Sequence, residues 1–162
     1  MSVPESFQYI HLPCGEYTEI SGAEFESVAN PLSGIQTTLC AHCGEQDDVG
    51  EFCWEGWEET IADYYDRLLA QIPERERERA GRPGMFKYLV MGGVAGLAAG
   101  VFVGLVLGRL GPIAAIVGGL IAVLLLTSIG VLMGFLHFEK KVVAPVVKKY
   151  WNVEDVRLLV ES

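Results

Sequence analysis

Lysine and arginine are absent from residues 1–66, which carry 14 aspartates and glutamates. A surface of that sign repels phosphates, which argues against nucleic-acid binding through this region. Charge of either sign is absent from two later stretches, residues 88–108 and 113–136. Spans without an ionisable side chain are poor candidates for a proton relay or an ion-coupled transporter. A phosphate-binding loop, a nucleophile motif and paired carboxylates are absent too, so no enzymatic activity is expected. Residues 1–20 have neither a basic start nor an apolar run, being interrupted by His11 and Glu16, and no secretory signal is expected.

Hydrophobic residues make up 51% of the chain, and the excess lies between residues 88 and 138. The 21 residues between Lys87 and Arg109 are uncharged. As a helix they would reach roughly 30 Å, the thickness of a bilayer's hydrocarbon core. Gly92, Gly96, Gly100, Gly104 and Gly108 recur there at every fourth position. In a water-soluble helix each glycine would cost about 1 kcal/mol relative to alanine. In lipid the backbone must satisfy its own hydrogen bonds, so the helix persists, and the bare stripe admits a second backbone.

A first span is expected over 87–108 and a second over 113–136, with small residues Ala114, Gly118, Ala122, Gly130 and Gly134. Residues 109–112 allow only a tight turn, so the spans are antiparallel neighbours and Gly104 is expected to meet Gly118. This part resembles glycine-zipper two-helix membrane proteins, and the chain as a whole resembles small bacterial membrane proteins. The resemblance implies a lipid bilayer as partner and a homo-oligomer through the glycine stripe. Packing within the hairpin is expected to be the stripe's main use. Nine basic residues flank the hairpin (Arg75, Arg77, Arg79, Arg82, Lys87, Lys140, Lys141, Lys148, Lys149), against Arg109 alone in the turn. That bias predicts a multi-pass protein of the cell inner (cytoplasmic) membrane with both termini cytoplasmic.

In the head, His11-Leu12-Pro13-Cys14-Gly15 and Cys40-Ala41-His42-Cys43-Gly44 share one pattern: a ligand, two residues, a cysteine and a glycine. Two intervening residues let a tight turn aim both ligands at one metal, and the glycine accepts the turned backbone. The pair resembles the two knuckles of a zinc ribbon. The resemblance implies zinc held by His11, Cys14, Cys40 and Cys43. Cys53 is the substitute ligand should His11 not serve, and His42 a weaker one. A histidine among the ligands favours zinc over an iron site of four thiolates. His11 and Cys14 could also imitate a nucleophile pair, but metal ligation explains both knuckles together.

The expected fold class is α+β. A zinc-ribbon head with an amphipathic helix occupies 1–73, a charged linker 74–85, the two-helix transmembrane hairpin 86–138 and a juxtamembrane amphipathic tail 139–162. Within the head, Glu16–Ser21 reads as a strand, 22–29 as a short helix capped by Ser21 and Glu24, and 35–39 as a second strand. Trp54 and Trp57 are expected to cover the metal module as core. Ile61, Tyr64, Tyr65, Leu68, Leu69 and Ile72 mark an amphipathic helix over 60–72, stopped by Pro73. The alternating Glu and Arg of 74–79 read as a spacer, broken by residues 80–84. The tail, with paired lysines, Tyr150 and Trp151, is expected along the lipid headgroups, or packed back on the head. The acidic head is a solvated surface or a docking face for a basic protein partner. The functional expectation is a membrane-anchored interaction or regulatory module. An oligomeric membrane assembly or pore is the alternative, and a redox or metal sensor using Cys53 as a spare thiol is a third reading.

Overall fold

The computed structural model describes residues 3–160. The chain divides into two compact units: residues before 83 together with those from 144 onward, and residues 83–143 between them. The architecture is mixed α+β, a small antiparallel strand region followed by long helices.

In the first unit, β1 (Ser6–His11) forms a hairpin with β2 (Glu16–Ser21), with Tyr9 opposite Thr18 and His11 opposite Glu16. The helix α1 (Gly22–Ala29) follows, then β3 (Thr37–Leu39) and β4 (Gln46–Asp48), which pair with each other. The strand β5 (Phe52–Trp54) then adds to the free edge of β1, giving the order β2-β1-β5. All three β5 side chains are buried, so Trp54 is core, while Trp57 is half-buried and edge-on to Tyr64. Ser21 makes no side-chain capping bond, and Gly22 begins α1 at φ +56°, so the expected Ser21–Glu24 box does not form.

The amphipathic helix α2 spans Ile61–Leu69 and is started by a box that the sequence reading missed. Thr60 Oγ1 accepts from the Asp63 N–H at 3.1 Å, and the Asp63 carboxylate accepts back from Thr60. Tyr64 and Tyr65 donate their hydroxyls to the carbonyls of Ala29 and Val28 at 2.7 and 2.6 Å. They satisfy carbonyls that the end of α1 would otherwise leave bare. Burial pushes both phenols above their ordinary range.

Two local expectations are corrected. Glu74–Ala80 is helical (α3), since the alternating charges keep the helix soluble and place opposite signs three residues apart. Only Gly81 breaks the chain; α4 (Arg82–Leu107) begins at once, with Pro83 in its first turn, where no N–H is needed. The tail, expected along the lipid headgroups or packed back on the head, takes the second of these placements. The helix α6 (Ala144–Trp151) and the short turn Val156–Leu159 belong to the first unit. Trp151 is buried and donates its indole N–H to the Leu68 carbonyl at 3.3 Å, and Lys149 lies 2.9 Å from Glu76. Val156 and Leu159 are buried, and their turn lies against α1. Burying one tryptophan and several valines explains why this segment closes on the head. Pro145 does not stop it, because the preceding turn, Glu139–Val143, is wound wider as a π-helix.

In the second unit, α4 and α5 (Gly119–Phe138) are joined through Gly108–Leu110 and a π-turn, Ala114–Gly118. Two helices, Arg82–Leu107 and one beginning at Ile116, are long and apolar enough to cross a membrane. Only 11% and 6% of their apolar windows are buried, so the apolar side chains face outward. Phe102, Leu105, Ile113 and Leu124 are each at least two-thirds exposed. The contact between the helices is made of backbone. A Cβ on Gly92 would collide with the Gly130 carbonyl, one on Gly96 with the Leu126 carbonyl, and one on Gly100 would lie 2.5 Å from Val123 Cα. Gly104 faces Gly119, not Gly118, whose added Cβ would meet the Leu107 side chain. The side chain of Ala114, named among the small residues, lies outside the described residues, as do positions 161 and 162 of the tail. Ser128 donates to its own helix at Leu124, whereas Thr127 Oγ1 is buried without a partner among the described residues.

Candidate metal centre

The two knuckles fold alike. In each, the glycine after the cysteine takes a left-handed conformation, Gly15 at φ +75° and Gly44 at φ +73°. Each glycine N–H returns to the carbonyl of the first ligand residue, Gly15 to His11 at 2.7 Å and Gly44 to Cys40 at 2.8 Å. A side chain at either position would strain that turn.

Two bonds bring the knuckles together, and a third ties the first knuckle to the entry of β5. Tyr9 donates its hydroxyl to the Leu39 carbonyl at 2.7 Å, tying β1 to the strand that enters the second knuckle. Ala41 N–H donates to Thr18 Oγ1 at 3.0 Å, and Leu12 N–H to the Glu51 carbonyl at 2.8 Å. The second knuckle is thereby held over the turn of the β1–β2 hairpin. The sequence reading did not identify Tyr9 and Thr18 as positioning residues; their inward alternation on paired strands is the only signal they carry.

His11, Cys14, Cys40 and Cys43 converge, with their donor atoms all within 4.8 Å of one another, and they could hold a metal ion. His11 Nδ1 lies 3.2 Å from Cys14 Sγ and 3.5 Å from Cys43 Sγ, and the Cys14 and Cys40 sulfurs are 3.6 Å apart. All four cysteines of the chain are free thiols. His11 and Cys40 are buried while Cys14 and Cys43 are exposed, so the cluster opens to solvent on one side. Cys53 and His42 are not part of it. Cys53 is buried in β5 opposite Ile10, and burial raises its thiol above the ordinary value. His42 is exposed at the knuckle tip.

The electrostatics favour thiolate at one position in particular. The backbone N–H groups of Cys43 and then His42 point at Cys40 and, against the opposing effect of burial, hold its thiol down at about 6. On the far side, the His11 ring stacks on Phe52 at 4.6 Å, and its Nε2 is 3.0 Å from Asp47 Oδ2. That contact is close enough for an ion pair but is not aligned with the ring N–H, so Nε2 lacks a formed hydrogen bond. Nothing in the sequence pattern marks Asp47 as a neighbour of His11.

Compared with family models, curated proteins and solved structures, the chain matches none.

Proposed function

We propose that this protein is a zinc-ribbon module anchored at the cytoplasmic face of a membrane, where it serves interaction or regulation and not catalysis. The convergence of His11, Cys14, Cys40 and Cys43 carries the reading. A zinc ion with Zn–S of about 2.3 Å and Zn–N of about 2.0–2.1 Å sets tetrahedral edges of about 3.8 Å between sulfurs and about 3.6 Å between nitrogen and sulfur. The separations of 3.6 Å between two sulfurs and of 3.2 and 3.5 Å between Nδ1 and sulfur lie near that size, and all the donor atoms fall within 4.8 Å of one another. Three thiolates and one imidazole suit zinc better than calcium, magnesium or iron.

Anchoring is supported by the outward apolar surface of α4 and α5, which no water-soluble unit of this size would present. A shared side for the two flanks of the hairpin is supported by the first unit itself. Residues before 83 and after 143 make one compact body, and one body occupies one side of a bilayer. The basic flanks favour the cytoplasmic side, whose reducing conditions also keep thiolates available. The acidic surface of the head is then the face offered to a basic protein partner, and nucleic acid is disfavoured.

Metal analysis of the full chain purified in detergent tests the reading. One zinc per chain, lost in Cys40→Ser, is expected; a folded head without metal would overturn it. The alternative, an oligomeric glycine-zipper assembly or pore, would have to use surfaces other than Gly92, Gly96 and Gly100, which already meet α5. Ion conductance in liposomes carrying the purified chain would favour that alternative.

A further inference from the structure

We infer that Asp47 is a positioning residue of the metal centre, holding the His11 imidazole so that Nδ1, and not Nε2, is the donor. The inference rests on the zinc reading above and goes beyond its ligand set. Asp47 is not one of the four converging donors; it stands behind one of them.

The geometry of the ring leaves little choice. Nδ1 faces the sulfurs of Cys14 and Cys43 at 3.2 and 3.5 Å. One face of the ring lies on Phe52. His11 is fully buried, so water cannot serve Nε2. A neutral imidazole that gives Nδ1 to a metal must carry its proton on Nε2. That N–H then sits inside the protein and requires an acceptor. Asp47 Oδ2, 3.0 Å away though not aligned with that N–H in this structure, is the acceptor in reach among the described residues, and a small turn of its part-exposed carboxylate completes the bond. An acidic acceptor does more than satisfy the proton. It fixes the tautomer, stops the ring from turning over, and makes the other nitrogen a stronger donor.

The strand pairing explains how Asp47 comes to be there. It sits in β4 opposite Thr38 of β3, the strand that leads into the second knuckle. One hairpin therefore delivers Cys40 and Cys43 from its turn and Asp47 from its return strand. His11 comes from the other hairpin, so the contact of Asp47 with His11 joins the two halves of the site. Asp47 is more than one-third exposed, which leaves room to replace it without opening the core.

The test measures zinc affinity of the full chain in detergent by competition with a chelator, for the parent and for Asp47→Ala, Asp47→Asn and Glu16→Gln. Loss of such a supporting carboxylate typically weakens metal binding about 10–100-fold. Asp47→Ala is expected in that range. Asp47→Asn is expected to lose less, because its amide oxygen still accepts the proton. Glu16→Gln removes a nearby exposed charge and is expected to change affinity by less than about twofold, as suits a screened surface group. Cobalt-substituted Asp47→Ala is expected to keep the thiolate charge-transfer bands of the parent, since no ligand is removed. Long-range proton–nitrogen spectra of the zinc-loaded parent are expected to show His11 bound through Nδ1. Asp47→Ala binding zinc as tightly as the parent would overturn the inference, as would binding through Nε2 or an equal loss in Glu16→Gln. A parent chain that binds no zinc would remove the metal centre itself and Asp47's role with it.

Discussion

The head and the hairpin hold together by opposite means. In the head, large side chains meet one another: Trp54, Tyr9, Tyr64, Phe25 and Phe52 are all fully buried, and Trp54 and Tyr64 meet edge-on at 6.3 Å. In the hairpin, the surfaces that meet carry no side chains, and the large residues point away. Under the proposed membrane anchoring, the difference reflects two solvents. Water drives apolar groups inward, and in a domain this small the proposed metal would help to offset the chain entropy. Lipid gives no such drive, so close backbone approach and dispersion must hold two helices together. Changes that damage one unit should therefore leave the other intact, and all three tryptophans (Trp54, Trp57 and Trp151) lie in the head to report on it.

The largest effect is expected from Cys40→Ser. A structural zinc site of the proposed kind would supply about 10–16 kcal/mol of apparent folding energy. Tryptophan emission should shift to that of exposed indole while most helical circular dichroism, carried by α4 and α5, remains. Loss of both signals together would break the comparison. Trp151→Ala comes next, at about 3–5 kcal/mol of head stability, the usual cost of deleting a buried tryptophan. Chemical denaturation followed through Trp54 and Trp57 would measure it, and an unchanged midpoint would detach the tail from the head.

Gly100→Leu is expected to act on the hairpin alone, by at least the roughly 1–3 kcal/mol of an overpacked core, since backbone cannot move aside as a side chain does. Cysteines at Gly104 and Gly119 should form a disulfide within one chain in the parent background, and form it slowly beside Gly100→Leu. Links only between chains would move the glycine contact to an oligomer. The smallest effect is expected from Glu76→Gln. Its carboxyl is held below the ordinary range by hydrogen bonding to Lys149, but the pair lies at the surface, where screening leaves little net stability. No resolvable change in thermal midpoint is expected, and a clear drop would make the ion pair part of the tail's attachment.

The two knuckles and the two apolar helices were legible because each rests on a local repeat: ligand spacing in one case, glycine at every fourth residue in the other. The same locality explains what was missed. The register of α4 against α5 depends on the π-turn at Ala114–Gly118, which advances the pairing from Gly118 to Gly119 and leaves no mark in composition. Asp47 and Thr18 reach the metal centre only through strand pairing, which sequence spacing does not report. The tail's lysine pairs and aromatics fit a membrane surface as well as they fit the head. Long-range contacts separate those readings, among them the Trp151 bond to Leu68, across 83 residues, and the Lys149–Glu76 pair.

That long-range bond also bears on how the protein is made. A ribosome delivers the strands, the knuckles and α2 first, yet the head is unfinished until the hairpin and then Trp151 have followed. Closing so long a loop adds little to final stability, because its entropy grows only with the logarithm of length. It adds much to the time required, since a non-local contact must wait for everything between to be placed. The four candidate metal ligands, by contrast, all lie by residue 43, and Asp47 follows four residues later. Under the proposed function, metal capture can therefore precede synthesis of the hairpin, and closure of the head on Trp151 can only come after it.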